Sequence, residues 1–374
     1  DYEFGDVTTF QAAEGGRSAE TPSQKIDKAQ LSHLSPSQRT ELCRMLDKYP
    51  ECFSDDPGLR SLAVHEINLT PDFRPRRLRA YRVPERLKQQ VSGEIQKMLD
   101  LGIIRPSISE MVSPLVVVLK GKDGKDGIRL AVDYSYINRY TLNDSFPVPE
   151  IDTIIQRVAG ATWISTFDAT AGYHQIKVRE GDEPLTAFVC DDGVFEFTRT
   201  PFGGKACGAT FLRAIQLALQ PLKSTTDAYV DDMIVHTHDR EFRQHLQDLE
   251  KFLRRIREVH LTLRLRKCRL AHHEVKFCGK IIGSGTKRPD PDKVEAVWGL
   301  KPARTKTEVR RLLGFFSYFR DHIPNFAAVA LPLTELTTKR VPTLLPWTEA
   351  HSRALEQLKT ALSTATALFV ADIQ

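Results

Sequence analysis

The chain has 374 residues, of which 41% are hydrophobic, so it is long enough for two or three compact units with buried cores. Its formal net charge of +5 at pH 7 is mildly basic and hints only weakly at a polyanionic partner. The longest apolar run, PLVVVL, is far too short to span a bilayer, which argues against a membrane protein.

The six cysteines are scattered along the chain and form no CxxC pair. This distribution argues against a secreted disulfide framework and favours a reducing compartment. One grouping has the residue types of a zinc site: Cys268, His272, His273 and Cys278. Because the flanking pattern is that of ordinary strands, zinc binding there is the less favoured interpretation.

The first part of the chain has little regular periodicity. Residues 1–30 are polar and rich in Gly, Ser and Thr, which predicts a flexible segment. Residues 31–83 are interpreted as an upstream linker, with a short helix at 35–49 that starts at Ser-Pro and ends at Pro. Within it, residues 60–83 are rich in proline and arginine and predict an extended basic strap. A longer helix is predicted at 83–102, with Pro near its start and Gly at its end.

From residue 112 to 200 the pattern changes to β-rich runs: VSPLVVVLK, IRLAVDY, TWISTFD, HQIKV, TAFVC and VFEFT. Helices are predicted at 149–160, 207–222 and 240–260. After a strand-like stretch at 274–282, the remainder is predicted to be helical, most clearly at 306–323 and 348–365. Interleaved strands and helices followed by a helical tail predict an α+β core with a helical appendage.

The stretch DAYVDDMIVHTHD places Asp231 and Asp232 between two apolar runs, at the tip of a predicted hairpin. Two such charges about 4 Å apart repel by roughly 4 kcal/mol at an effective dielectric constant near 20. Taken alone, a solvated turn is the more ordinary interpretation, because Asp is common in turns. A third acid, Asp168, ends the predicted strand TWISTFD. If the three carboxylates converge, they would suit two Mg²⁺ ions and an in-line phosphoryl displacement.

Six blocks resemble the reverse transcriptase of a gypsy-type LTR retrotransposon, a relative of the retroviral enzymes. YVDD (229–232) is similar to the YxDD metal box, and STFDATAGYHQIKV is similar to the first aspartate strand. RLAVDYSYIN resembles the fingers motif, FEFTRTPFGGKACGATF the nucleotide-pocket loop, VKFCGKII the primer-grip hairpin, and residues 288–336 the thumb. The blocks follow the family's order and spacing over roughly residues 65–370.

The resemblance implies a polymerase right hand of the α+β class. Fingers are expected at 84–161 with part of 180–206, and a palm at 162–289 with an antiparallel sheet, helices, the YVDD hairpin and the primer-grip strands. A helical thumb is expected at 290–374, ending before an RNase H domain. The chain would be excised from a longer Pol polyprotein with protease, RNase H and integrase, which its opening on Asp also suggests. A cytoplasmic location within a virus-like particle and a possible homodimer are further expectations.

The resemblance also assigns roles to residues. Asp168, Asp231 and Asp232 would hold two Mg²⁺ ions, for which Mn²⁺ is a possible substitute, with help from the carbonyl of Ala169. Tyr173 would lie under the sugar and exclude a 2′-hydroxyl, the plainer alternative being core packing. Further dNTP contacts are expected from Lys122 (with Lys120 as a competing candidate), Arg129, Pro201, Phe202 and Gly203. Primer and template contacts are expected from Tyr229, Val230, Cys278, Gly279, Arg310, Gly314 and Tyr318.

The thumb offers a check from helix geometry. Arg310, Gly314 and Tyr318 are spaced i, i+4 and i+8, so one helix face carries all three. A charge, a gap and an aromatic ring make a poor core stripe but suit the minor groove of a nucleic acid. The alternative is a glycine merely tolerated in a helix, at about 1 kcal/mol relative to Ala. The neighbouring face, with Val309 and Phe316, is the better core candidate.

The predicted function is RNA-directed DNA polymerisation, with dNTPs, an RNA template and a DNA template–primer as partners. Two rivals remain: a catalytically inactive nucleic-acid-binding remnant and an RNA-dependent RNA polymerase, against which Tyr173 discriminates. Departures from the family concern the pocket loop, where Gly208 stands at a usual proline position, and Ser135, which stands at a usual arginine position. They put the fine geometry of the pocket in doubt but leave the three aspartates unchanged.

Overall fold

A computed structural model describes residues 20–58, 63–120, 127–342, 345–365 and 367–370. Its first elements are the short helix α1 (Pro22–Lys25) and helix α2 (Pro36–Leu46), which starts at a capping box formed by Ser35 and Gln38. Ile26, Leu42 and Leu46 are buried in the largest core cluster of the protein. The prediction of a flexible segment is therefore wrong for residues 20–30, because these residues pack on the central core.

The fingers are built on a five-stranded sheet with the order β2-β8-β7-β3-β4. Its strands are β2 (Ile104–Pro106), β3 (Ser113–Leu119), β4 (Ile128–Val132), β7 (Phe188–Cys190) and β8 (Gly193–Phe197). Helices α3 (Glu85–Asp100) and α4 (Ser135–Tyr140) pack against it. Val91 and Ile95 of α3 supply its buried face, as the helical spacing predicts.

The expected basic strap is extended along the fingers. It begins at β1 (Val64–His65), which pairs in parallel with β6 (Lys177–Val178). Further on, the amide of Leu78 donates to the carbonyl of Val112, and the amide of Val112 donates to the carbonyl of Arg76. These bonds fix the strap beside the start of β3. Five of its arginines are exposed: Arg74, Arg76, Arg77, Arg79 and Arg82.

The palm is a four-stranded antiparallel sheet with the order β11-β5-β10-β9. Its strands are β5 (Trp163–Asp168), β9 (Thr226–Tyr229), β10 (Asp232–Thr237) and β11 (Arg269–His272). Helices α6 (Cys207–Leu219) and α7 (Phe242–Glu258) cover one face, with Phe211 and Phe252 buried. Both helices lie where the sequence predicts them.

A third sheet connects palm and thumb. It contains β12 (Glu274–Phe277), β13 (Lys280–Gly283), β14 (Thr286–Pro289) and β15 (Leu368–Phe369), in that order. Helix α5 (Ile151–Ala159) packs on it through Ile154 and Ile155. The prediction that everything after residue 282 is helical is therefore wrong at β14 and β15, which add two strands to the expected hairpin.

The thumb contains α8 (Pro291–Val297), α9 (Lys306–Tyr318), α10 (Phe326–Glu335) and α11 (Glu349–Ser363). Val309, Leu312 and Phe316 of α9 are buried in its core, which confirms the core face chosen from the sequence. Within the described ranges, no helix combines the length and the apolar character needed to cross a bilayer.

Candidate active site

The paired acids lie where the hairpin prediction places them. Strands β9 and β10 are antiparallel, and Tyr229 lies opposite Asp232, so Val230 and Asp231 form a two-residue turn. Val230 has a φ of 54°, a conformation that is strained for a β-branched residue and costs roughly 1–3 kcal/mol. The flanking strand pairs must therefore hold this turn in place.

Strand pairing also brings the third acid to the hairpin. Strand β10 pairs with β5 in a register that sets Asp232 directly opposite Asp168. Directly opposite side chains on such strands have Cβ atoms about 4.5–5.5 Å apart. The sheet thus gathers Asp168, Asp231 and Asp232 at one end of the palm, although they come from two distant parts of the chain.

The electrostatics of the three acids are those of crowded negative charges. Partial burial raises the pKa of Asp231, and the nearby carboxylate of Asp168 raises it further. The pKa of Asp232 is raised by the same two causes, although its side chain keeps contact with solvent. Among the described residues, Oδ1 of Asp231 is buried without a hydrogen-bond partner. An unpaired carboxylate oxygen among repelling acids fits a cation with oxygen ligands, such as Mg²⁺.

A lysine that was not among the predicted site residues contacts this group. Nζ of Lys267 lies 3.1 Å from Oδ2 of Asp168, and its charge offsets part of the rise in the pKa values of Asp231 and Asp232. Within the described part of the chain, no three His, Cys, Asp or Glu side chains form a ready set of metal ligands. Strand pairing brings the acids to one end of the sheet without such a set.

Ala169, the proposed carbonyl ligand, follows Asp168 and is buried. It forms a single antiparallel bridge with Leu263, and the amide of Arg264 donates to the carbonyl of Asp168 over 3.0 Å. These contacts fix the backbone just beyond β5. They leave the role of Ala169 toward a metal as a prediction.

Tyr173 lies beside the acids and within an aromatic group. Its ring centroid is 5.0 Å from that of Phe202 and 5.3 Å from that of Phe211, both edge-on. Partial burial raises the pKa of Tyr173, and the charge of Asp231 raises it further. The structure therefore packs Tyr173 against Phe202, and its role toward a nucleotide stays a prediction.

The nucleotide-pocket loop packs against the end of the fingers sheet. Pro201 is buried, whereas Phe202 is exposed. Gly203 has a φ of 95°, and a side chain there would approach the carbonyl of Val132 to 3.5 Å. Arg129 is exposed on β4, where it forms no salt bridge with any described residue. Lys122 lies outside the described residues.

The primer-grip turn lies between β12 and β13 and consists of Cys278 and Gly279, with φ values of 48° and 77°. Cys278 belongs to the same apolar cluster as Tyr229 of the acid hairpin. Burial raises the pKa of the Cys278 thiol to about 12, with a further contribution from Asp232. The turn therefore lies within reach of the charge of Asp232.

The thumb face is only partly as expected. Arg310 and Gly314 are exposed, and nothing lies within 4 Å of a Cβ placed on Gly314. Tyr318, however, does not project freely from the helix. Its hydroxyl donates to the carbonyl of Cys278, because the end of α9 lies against the primer-grip turn.

The grouping with zinc-like residue types is dispersed by the fold. His272 stacks on His33 with ring centroids 3.8 Å apart, and the thiol of Cys268 donates to the carbonyl of Arg264. Burial raises the pKa of Cys268 to about 12, which disfavours the thiolate that a metal would need. Cys278 lies in the primer-grip turn.

Residues 119–282 match the family model described as reverse transcriptase (RNA-dependent DNA polymerase). Over 301 residues the chain is 33% identical to the retrovirus-related Pol polyprotein from transposon opus of Drosophila melanogaster, covering 78% of this chain and 30% of that protein. It is 31% identical over 348 residues to the counterpart from transposon 412 of the same species, covering 91% and 28%. The chain belongs to the reverse transcriptases of LTR retrotransposons.

The chain spans about three tenths of the length of those relatives. Solved structures of a foamy viral protease-reverse transcriptase are similar to it in fold. The complex with dsDNA gives a TM-score of 0.78 at 25% identity, covering 89% of this chain and 69% of that one. The complex with RNA/DNA hybrid gives a TM-score of 0.77 at 25% identity, covering 89% and 45%. The predicted family and the polymerase right hand are thus confirmed.

Proposed function

We propose that this reverse transcriptase extends a primer with dNTPs on an RNA or DNA template by two-metal phosphoryl transfer. The observation that carries the proposal is the register that sets Asp232 opposite Asp168, with Asp231 at the adjoining turn. The description of the matching family model supports RNA-directed DNA synthesis as the reaction class.

The residues present fit a pair of divalent cations. Asp168, Asp231 and Asp232, with the carbonyl of Ala169, would hold two Mg²⁺ ions, and Mn²⁺ could take their place. When bound, the ions would stabilise the attacking and leaving oxygens of an in-line displacement at the α-phosphate. The fit rests on the unpaired Oδ1 of Asp231 and on the mutual repulsion of the acids. Lys267 neutralises part of that charge and would turn away from Asp168 as the carboxylates close on the ions.

The incoming dNTP would lie against the aromatic group formed by Tyr173 and Phe202. The ring of Tyr173 packs against Phe202 and Phe211, which restrict its movement. It would therefore clash with the 2′-hydroxyl of an incoming rNTP. Gly203 would let the loop backbone approach the nucleotide. Arg129, and Lys122 from outside the described residues, would bind the triphosphate.

Primer and template would be held mainly through their phosphates, because a copying enzyme needs affinity without sequence preference. The exposed arginines of the basic strap lie beside the nucleotide-pocket region, since Tyr81 within the strap donates to Asp133 at the end of β4 over 2.8 Å. They are suited to the single-stranded template ahead of the site. Arg310 and Gly314 of the thumb, and Val230, Cys278 and Gly279 around the primer end, would contact the duplex.

The wider setting is also part of the proposal. The relatives are Pol polyproteins much longer than this chain, so we expect it to act as one segment of such a polyprotein. The foamy viral enzyme is described in complex with dsDNA and with RNA/DNA hybrid, and we expect the same ligands here. Action within a virus-like particle in the cytoplasm and dimer formation stay predictions.

The test is primer extension on RNA and DNA templates with dNTPs and Mg²⁺. Wild type is expected to incorporate nucleotides, and Asp231→Asn is expected to lose at least about 10³-fold in rate, equivalent to roughly 4 kcal/mol of transition-state stabilisation. A folded wild-type protein that binds template–primer but incorporates nothing would instead identify an inactive nucleic-acid-binding remnant.

A further inference from the structure

One side chain fastens the primer-grip turn to the thumb. Tyr318 is the last residue of α9, and its hydroxyl donates to the main-chain carbonyl of Cys278. Its ring lies 3.9 Å from the position of a Cβ on Gly279, so ring and turn are in van der Waals contact. The end of the thumb helix therefore rests directly on the turn.

A buried lysine holds the ring from the other side. Nζ of Lys280 lies 4.8 Å from the centroid of the Tyr318 ring and 3.4 Å from Oδ1 of Asp152 in α5. The Lys280 side chain is only 4% exposed, and desolvation strengthens the attraction between an ammonium group and an aromatic face. Three residues after Tyr318, Oδ2 of Asp321 forms a salt bridge with Nζ of Lys287 in β14 over 2.8 Å. The tyrosine is thus one part of a network joining thumb, third sheet and α5.

The turn itself needs such support. Both of its residues have positive φ, as in the tight hairpin turns that favour Asn-Gly or Gly-Gly. Cys278 is neither glycine nor asparagine, and a non-glycine residue in this conformation persists where its surroundings hold it. The hydrogen bond from Tyr318 is made to that same residue.

The turn and the acid hairpin border the same apolar cluster. Cys278 packs in one cluster with Tyr229, whose strand leads into Val230 and Asp231. Any movement of the turn would therefore change the space between it and the acid hairpin, which is where the proposed function places the primer end.

We propose that Tyr318 is a positioning residue that sets the place of the primer 3′-hydroxyl by holding the Cys278–Gly279 turn against the acid hairpin. It acts through the main chain of the turn and not by stacking on the duplex. The proposal rests on the polymerase function proposed above.

The experiment compares wild type with Tyr318→Phe, which removes only the hydroxyl and keeps the ring beneath Lys280. Tyr49→Phe is the matched control, because the Tyr49 hydroxyl contacts Glu250 over 3.3 Å in a region that is not part of the site. Measurements are amide hydrogen exchange in residues 274–283, the dissociation constant for template–primer, and the single-turnover incorporation rate at saturating dNTP.

We expect Tyr318→Phe to exchange the turn amides at least about fivefold faster and to incorporate about five- to tenfold more slowly. Its dissociation constant should stay within about threefold of wild type, and Tyr49→Phe should match wild type in all three measurements. Weaker duplex binding at an unchanged incorporation rate would show that Tyr318 contacts the duplex directly, and unchanged exchange would show that the hydrogen bond does not restrain the turn. Either result overturns the proposal.

The same experiment separates this proposal from the proposed function. A wild type that incorporates no nucleotide would refute the polymerase function itself. An active wild type with an equally active Tyr318→Phe would refute only the role of Tyr318.

Discussion

The arrangement of the three aspartates lowers the stability of the folded protein, because burial and mutual repulsion disfavour the ionised carboxylates. Because the pKa of Asp231 is raised, the folded protein favours its neutral form, and the ionised form costs folding free energy near neutral pH. Asp231→Asn should therefore stabilise the metal-free protein, by roughly 0.5–1 kcal/mol or 1–2 °C after allowance for solvent screening. The gain should shrink as the pH falls through the raised pKa toward 3.8, because wild type then loses the same charge.

Thermal unfolding in EDTA at pH 7 and at pH 4.5 checks this prediction. Asp227→Asn, on strand β9 just before the turn, is the control of opposite sign. Burial raises the pKa of Asp227, but hydrogen bonds with His236 and Arg157 outweigh burial and bring it below the usual value. Removing its charge should destabilise the fold by about 1.5–3 kcal/mol, since the hydrogen bonds with Arg157 and His236 lose a charged partner. A lower melting temperature for Asp231→Asn at pH 7 would contradict the electrostatic account of the acids.

Tyr173 is the residue proposed to select dNTP over rNTP. Its ring packs edge-on against Phe202 and Phe211, and in the proposed function this ring excludes a 2′-hydroxyl. Tyr173→Ala should lower the preference for dNTP over rNTP by roughly 10- to 100-fold, or about 1.4–3 kcal/mol. Single-nucleotide incorporation with each substrate measures the change, and Tyr173→Phe should keep the preference because it keeps the ring. A wild type that already uses both substrates equally would favour the RNA polymerase rival.

At the scale of elements, the sequence correctly predicts those helices and strands that a local pattern of apolar and polar residues determines. The acid hairpin follows from two apolar runs around a polar turn, and the seven predicted helices all appear in the structure. Strand β14 carries the letters TKRP, which lack an alternating apolar pattern, and β15 has two residues, so neither could be recognised locally. The hydrogen bond between Tyr318 and Cys278 was missed for a related reason. Helical spacing shows which residues share a face, but not which other part of the chain contacts the end of the helix.

The exposed glycine of the thumb helix offers a test at this scale. Gly314 lies within α9 in open space, so Gly314→Ala should raise helix stability by up to about 1 kcal/mol. If the duplex backbone approaches this position, the added methyl group should weaken template–primer binding by about three- to tenfold. Gly93→Ala in α3 is the matched control, because that position is equally open and should gain stability without losing affinity. Equal affinity of Gly314→Ala and wild type would remove Gly314 from the proposed duplex contacts.

At the scale of the whole molecule, long-range packing decides what local patterns leave open. Residues 22–53 were predicted as a flexible segment and linker, yet Leu42, Leu46 and Phe53 share one core cluster with Phe167 of β5 and Phe252 of α7. Likewise, no local rule sets Asp168 opposite Asp232. Their proximity depends on the register between β5 and β10. The resemblance to a family implied that the acids meet, whereas their spacing in the sequence could not show it.

The exposed arginines of the strap should make template binding depend on salt concentration. The strap carries five exposed arginines, and none of them forms a salt bridge with another described residue. Each single-strand phosphate neutralised contributes about −0.7 to the slope of log affinity against log salt. Replacing Arg77, Arg79 and Arg82 with glutamine should therefore reduce that slope by about 2 for a template–primer with a long 5′ template overhang. On a blunt duplex the slope should hardly change, because the strap is proposed to bind only the single-stranded template.

Salt titrations of binding with the two substrates measure both slopes. The control variant replaces Lys25, Lys28 and Arg44 with glutamine, which removes the same charge from exposed positions of the N-terminal segment. If net charge alone attracted nucleic acid, both triple variants would lose the same slope on both substrates. A loss confined to the strap variant and to the overhang would instead place the single-stranded template along the strap, because only local phosphate contacts depend on which strand is present.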